Sequence, residues 1–297
     1  DAFPDDPVYV VGESRPAQWP FIHPSEADTA WGGTAHHQFK ILFDLDRRPS
    51  GRYALLIALT DAHESLGSEM CVAINSRLAE RYKDHPALIL WHVSNEYGGE
   101  CHCELCKEAF RRWLRERYHD DLDELNHAWW GAFWSRAYGD WSQIADPHLH
   151  MLDWKRFVTH QTIDFFLAES APLRRITPQV PVTTNFMGTY PGLDYWQFAR
   201  HVDVACWDSY PHWHGPEGDE AAACHTAFVH DINRCLKGGR PFLLMESQPG
   251  VAKGRGVWPR KRPGMHALSS LQAVAHGSDS VLYFQWRKGR GGYEKHH

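Results

Sequence analysis

The sequence predicts an α/β protein of the (β/α)8 TIM-barrel type. Five strands of that barrel's eight are recognisable, behind a β-rich N-terminal segment. Three observations predict it. From about residue 80, short apolar runs alternate with longer amphipathic stretches, the pattern of parallel βαβ units. Two of those runs lead into a glutamate, Glu96 after Leu90-Trp91 and Glu246 after Leu244-Met245. Carboxylates at the C-terminal ends of separate parallel strands favour a barrel over a doubly wound sheet.

The elements follow in chain order. Residues 1–75 read as the β-rich segment and 76–297 as the barrel portion. Phe39-Lys40-Ile41-Leu42-Phe43-Asp44-Leu45 and Tyr53-Ala54-Leu55-Leu56-Ile57-Ala58-Leu59 flank the turn Arg48-Pro49-Ser50-Gly51 as a hairpin would. The stretch around Cys71-Val72-Ala73-Ile74-Asn75 reads as a junction between the two parts. The strand runs are Ala87-Leu88-Ile89-Leu90-Trp91, Val180-Pro181-Val182-Thr183-Thr184, Val202-Asp203-Val204-Ala205-Cys206, Phe242-Leu243-Leu244-Met245 and Val281-Leu282-Tyr283-Phe284. Between them, helical patterns cover 104–118, 152–175, 221–236 and 264–276.

Composition narrows the function. The net charge of -6, with no block of Lys and Arg, argues against a nucleic-acid partner. No apolar stretch is long enough to span a membrane and no signal-peptide pattern opens the chain, so the expected location is cytoplasmic. The 14 Trp, 11 Tyr and 14 Phe suit a sugar cleft, where aromatic faces meet the C–H side of a ring, although large cores use them too. Cys206, Cys224 and Cys235 read as buried thiols.

The two glutamates carry the chemistry. A buried unpaired charge is costly, so a carboxylate that ends an apolar run belongs at the strand's mouth. Two of them suggest the acid/base and nucleophile of a glycosidase. The plain alternative is that each pairs with a nearby Arg.

Longer words sharpen this. His85-Pro86-Ala87-Leu88-Ile89-Leu90-Trp91-His92-Val93-Ser94-Asn95-Glu96-Tyr97-Gly98 is followed by Cys101-His102-Cys103-Glu104-Leu105-Cys106. Later come Ala132-Phe133-Trp134-Ser135, Thr184-Asn185-Phe186-Met187-Gly188, Trp207-Asp208-Ser209-Tyr210-Pro211, Met245-Glu246-Ser247 and Phe284-Gln285-Trp286-Arg287-Lys288. Across about three quarters of the chain these resemble glycoside hydrolase family 42, the bacterial β-galactosidases.

The resemblance implies Glu96 as general acid/base and Glu246 as nucleophile of a retaining mechanism. It implies Asn95, Trp134, Asn185 and Tyr210 as sugar-pocket residues, with Glu294 and His297 bonding galactose hydroxyls. For such chemistry Glu246 must be ionised, supported by a donor such as Tyr210, and Glu96 must start protonated. The implied substrate is a β-galactoside, the implied assembly a trimer, and no organic cofactor is called for.

Cys101, Cys103 and Cys106 are spaced for a structural Zn²⁺, which takes four ligands. The family's fourth ligand is an upstream Cys near the position of Asp61. Asp61, His63, Cys71 and His102 are the candidates here. The alternative is three reduced thiols.

The chain also departs from the family. Residues 1–70 do not look like the family's first barrel strands, and the segment 53–59 resembles a β-sandwich accessory module of polysaccharide-lyase type. No aromatic follows the nucleophile until Trp258, where the family usually stacks a Trp on sugar.

The reading is a retaining glycosidase that releases terminal, non-reducing β-D-galactose. The alternatives are an α-L-arabinopyranosidase or other retaining β-glycosidase, and a silent fragment that only binds carbohydrate.

Overall fold

The computed structural model describes residues 8–10, 13–14, 40–42, 68–144, 150–250 and 259–285. The chain divides into two compact units, Asp1–Asp61 and Ala62–His297. In the first, β1 (Val8–Val10) and β2 (Lys40–Leu42) pair in parallel, Val8 opposite Lys40. β2 falls within the first arm of the expected hairpin, but this pairing is not a hairpin's, because parallel strands need a long crossover. The expected second arm, 53–59, lies outside the described residues.

The second unit begins with α1 (Ser68–Tyr82). The expected junction at 71–75 lies inside this helix, which joins α4 (Met151–Ile176) through Asn75 Nδ2 donating to the Glu169 carbonyl at 2.9 Å. β3 is Trp91–His92, and α2 (Glu104–Arg117) follows with Glu104 in its first turn and Arg115 and Arg117 in its last. That charge order complements the helix dipole. α3 (Leu122–Ala128) starts on Asp121, whose side chain accepts from the Asp123 and Glu124 amides.

Five parallel strand positions then form an arc. β3 pairs with β4 (Val182–Thr183), and β5 (Asn185–Phe186) resumes that line after Thr184. β5 pairs with β6 (Cys206–Ser209), β6 with β7 (Phe242–Ser247), and β7 with β8 (Ser278–Val281). Spatial order follows chain order, so there is no reversal point of the doubly wound kind and the arc is barrel-like. The short α5 (Tyr195–Phe198), then α6 (Asp219–Cys235) and α7 (Met265–Ala275), fill the crossovers.

The helices match their sequence patterns within two residues, but three strands are displaced. Pro86-Ala87 makes a turn, Leu88-Ile89-Leu90 runs on irregularly to β3, and Ile89 is exposed. Val202 and Ala205 are buried yet lie outside β6, because Asp203 between them turns its carboxylate to the Val182 amide (2.7 Å) and to Arg174 (2.8 Å). β8 starts three residues early because Ser278 Oγ accepts from the Leu244 amide at 3.0 Å, which lets a serine enter the sheet.

The core is aromatic. Tyr97 meets Phe165, Phe166 and Phe198 at centroid distances of 5.7 to 6.1 Å. Phe110 stands edge-on to Trp154 at 5.1 Å. Each such ring, fully buried, contributes about 2–3 kcal/mol before its packing geometry is counted. The effect is a rigid floor directly beneath the residue that follows Glu96. Among the described residues no helix is long and apolar enough to cross a membrane.

Candidate active site

All the site's polar groups stand at the C-terminal ends of the parallel strands, where barrel chemistry is built. Asn185 on β5 is 1 % exposed and sits at the centre. Its Oδ1 accepts from the Glu96 amide at 2.9 Å and lies 3.1 Å from His92 Nε2. Its Nδ2 donates to Asn95 Oδ1 (3.0 Å) and Asp208 Oδ2 (2.6 Å), with Glu246 Oε1 at 3.5 Å. One amide therefore ties β3's exit loop to β6 and β7.

The loop that carries Glu96 is strained. Ser94 has φ 55° and Glu96 φ 43°, left-handed backbone that a side chain with a Cβ rarely adopts. Tyr97, buried at 5 % exposure, anchors it by donating its hydroxyl to Glu169 on α4. Gly98 packs closely against Met187, whose terminal methyl would have to move to admit a Cβ there, 2.8 Å away.

Across the arc, Tyr210 donates its hydroxyl to Glu246 Oε2 at 2.5 Å. Burial, then that bond to Glu246, push the Tyr210 hydroxyl well above its usual range, so it stays a donor. Carboxylate oxygens of Glu96, Asp208 and Glu246 all lie within 4.8 Å of one another. Asp208 and Glu246 are register partners on neighbouring strands. Burial, then the charges of Glu246 and Glu96, push Asp208 up to about 9.

The structure thus brings together Asn95, Glu96, Asn185, Tyr210 and Glu246. Trp134 ends a 3₁₀ turn, Gly131–Trp134, and its side chain falls outside the described residues, as do Glu294, His297 and Trp258. Asp208 is the residue the sequence reading missed. It sits in a strand with every residue buried, so the rule that singled out Glu96 and Glu246 applies to it as well. His92 was overlooked as well, and no sequence signal marks it.

The three cysteines converge at the start of α2. The Sγ atoms of Cys101, Cys103 and Cys106 lie within 4.8 Å of one another, with Cys103 and Cys106 3.6 Å apart. A zinc ion 2.3 Å from each thiolate sets sulfurs about 3.8 Å apart, so the trio fits the ion. Hydrogen bonds from the Cys106 amide and the other two thiols lower the Cys103 thiol, while burial and the same two neighbours push Cys106 up to about 12. No fourth His, Cys, Asp or Glu joins them among the described residues. Cys71 instead bonds Glu169, and His102 stacks on Trp154 at 4.9 Å with Glu100 at 3.4 Å. Asp61 and His63 lie outside the described residues. Cys206 is buried as expected, but Cys224 and Cys235 are exposed on α6. Their positions fall on that helix's outer face, which its apolar pattern did not separate from the inner one.

Comparison with known proteins finds two family profiles, which overlap over residues 61–100. A family profile described as β-galactosidase, glycoside hydrolase family 42, matches residues 61–297. A carbohydrate-binding-module-like profile, described as polysaccharide lyase family 4 domain III, matches residues 2–100. The chain is 61 % identical to a β-galactosidase of Alicyclobacillus acidocaldarius over 232 residues, 75 % of this chain and 33 % of that protein. A β-galactosidase of Bacillus subtilis is 53 % identical over 239 residues, 75 % of this chain and 35 % of that one. Among solved structures, a catalytic mutant of a family 42 β-galactosidase from G. stearothermophilus superposes with TM-score 0.74 and 55 % identity, covering 78 % of this chain and 36 % of its own. The β-galactosidase of Rahnella sp. R3 gives 0.74 and 51 %, covering 77 % and 35 %. The chain spans about a third of the length of the curated relatives it matches.

Proposed function

The chain belongs to glycoside hydrolase family 42, and from that premise we propose that it hydrolyses terminal, non-reducing β-D-galactosides with retention of configuration. One observation carries the reading: carboxylate oxygens of Glu96 and Glu246 lie within 4.8 Å of each other. Retaining glycosidases hold their two carboxyl groups roughly 5–5.5 Å apart, whereas inverting ones leave about 6.5–9.5 Å for a water.

In this mechanism Glu246 attacks the anomeric carbon while Glu96 gives its proton to the leaving oxygen. A galactosyl ester forms on Glu246. Glu96, now a base, takes a proton from water as the water's oxygen attacks the same carbon and the ester breaks. Tyr210 and Asn185 supply the donors that solvate the Glu246 carboxylate once water is excluded. The left-handed backbone at Glu96, clamped by Asn185 and by the Tyr97 anchor, fixes the proton donor's direction. Asn95, Trp134, Asn185, Tyr210, Glu294 and His297 are assigned to sugar binding on the family pattern.

We assign Cys101, Cys103 and Cys106 to a structural zinc ion, which when bound would stiffen the start of α2 rather than enter the chemistry. About one zinc per chain by elemental analysis, lost together with thermal stability on chelation, supports this; absence of metal in a folded chain contradicts it. The seven free thiols support a cytoplasmic location, and family likeness supports a trimer, which light scattering tests.

The reaction itself is tested by proton NMR of an aryl β-D-galactoside digest. β-Galactose appearing first is the expected result. α-Galactose appearing first overturns retention, and a dominant rate on an aryl α-L-arabinopyranoside moves the substrate assignment. Binding without turnover returns the chain to the carbohydrate-binding reading.

A further inference from the structure

Retaining hydrolysis uses two of the three clustered carboxyl groups and leaves Asp208 without a part. Its position is specific. It faces Glu246 across a register shift at Trp207/Asp208, and its side chain is 7 % exposed. Oδ2 accepts from Asn185, while Oδ1 is buried with no hydrogen-bond partner. One carboxylate oxygen each of Asp208, Glu96 and Glu246 lies within 4.8 Å of the other two. Neither Lys nor Arg pairs with Asp208 among the described residues.

The titratable groups that face it are Glu246 on β7, Glu96 after β3, Tyr195 on α5, and Cys206 and Tyr210 on its own strand or just beyond. Burial holds the last three neutral, pushing Cys206 up to about 12. None of these groups supplies a positive charge. Three carboxylates this close repel one another when all are ionised, and the most buried of them, which bears the largest cost of charge, keeps a proton. Asp208 is that one, and an orphaned Oδ1 beside a carboxylate is where such a proton would sit.

We propose that Asp208 is a positioning residue of the reaction: a neutral carboxyl that keeps its proton through both steps and hydrogen-bonds to Glu96 whenever Glu96 is the anion. The proposal rests on the retaining reading above. The charge balance is simple. At the start Glu246 is the anion. The new bond from Glu246 to the anomeric carbon uses that charge. The electron pair of the breaking glycosidic bond takes the Glu96 proton, which leaves the charge on Glu96. Water attack returns the proton to Glu96 and the charge to Glu246. One negative charge shuttles between the two glutamates, and Asp208 hands over no proton. If Asp208 were itself ionised, it would oppose the charge arriving on Glu96.

Infrared spectroscopy tests this without needing turnover. The carbonyl stretch of a protonated carboxylic acid should be present at pH 7, shift on ¹³C-aspartate labelling, and disappear in Asp208→Asn. A spectrum with no aspartic acid band at pH 7 overturns the proposal whether or not the enzyme is active. The labelling arm needs no variant to fold. Kinetics supply the second readout. Asp208→Asn, which keeps a neutral donor, should lower kcat by about 3- to 10-fold and leave the alkaline limb of the pH profile in place. Asp208→Ala should lower kcat by about 100-fold. Equal losses in the two variants, or an alkaline limb moved by a full pH unit in Asp208→Asn, would mean that a charge had been removed. Activity lost to a chelator and restored by Mg²⁺ would mean that the three carboxylates hold a cation instead.

Discussion

Asp153 on α4 and Asp208 on β6 are buried to nearly the same degree, at 3 % and 7 % exposure, and the protein treats them in opposite ways. Asp153 is surrounded by donors: Tyr118 at 2.6 Å, Trp129 at 2.7 Å, Arg156 at 2.8 Å and Arg117 at 3.5 Å. Burial alone would raise it, but those bonds and the Arg117 charge outweigh burial and hold it below its usual range. Asp208 has one amide and two glutamates, and burial and repulsion act together to push it up to about 9. Burial therefore does not identify a functional carboxylate. The sign of its neighbours does: an aspartate given donors is a clasp, and one left among like charges marks a site where charge must move.

The comparison breaks most visibly at Glu96. Glu96→Gln should cut kcat on a poorly activated galactoside by about 10²- to 10⁴-fold. Its thermal midpoint should stay level, because the amide replaces a carboxyl that is neutral at rest and leaves the bond from the Glu96 backbone amide to Asn185 in place. A fall in stability alongside a mild kinetic loss would make the cluster structural. On the other side, Asp153→Ala should cost about 2–3 kcal/mol of unfolding free energy, because it leaves the Tyr118 hydroxyl and the Trp129 indole N–H without their acceptor. Its kcat should not change. A kinetic defect in a stable Asp153→Ala protein would erase the distinction between the two aspartates. Tyr210→Phe removes one donor from the Glu246 carboxylate and should lower kcat by about 10- to 100-fold, the worth of a hydrogen bond to a charged group. Chemical denaturation should show little change.

The pH dependence of stability is the finest test. For Asp153 the folded pKa is depressed, so its stabilisation is present above the unfolded value near 3.8 and lost as pH falls below it. For Asp208 the folded pKa is raised, so its contribution is complete below about 4 and lost as pH rises toward about 9. The slope is at most about 1.4 kcal/mol per pH unit for a single group. Denaturation between pH 5 and 9 should show this decline in the parent and a flatter line in Asp208→Asn, whereas Asp153→Asn should alter only the acid side.

Much of this arrangement was legible in the chain. The helices announced themselves because their apolar faces repeat at helical spacing over many residues, as in Trp154, Phe157, Val158 and Phe166 on α4. Glu96 and Glu246 stood out as charges closing apolar runs. Strand limits were less legible, because a barrel strand is defined by pairing. Val202 and Ala205 are as apolar as any strand residue but are held outside β6 by Asp203, and Ser278 is polar but enters β8. The web around Asn185 was not legible at all. Its partners lie 23 to 93 positions away, and no local pattern encodes a hub. Asp208 was available to the same rule that found the glutamates, but was passed over because the reading stopped at two carboxylates.

The most direct measurement is the initial rate on an aryl β-D-galactoside for the parent chain and Glu246→Gln side by side, with circular dichroism to establish that both are folded. The account predicts clear turnover in the parent and a loss of about 10⁴-fold or more in the variant. Turnover that survives in Glu246→Gln would contradict the assignment of the nucleophile. A folded parent with no turnover would contradict the hydrolytic function itself.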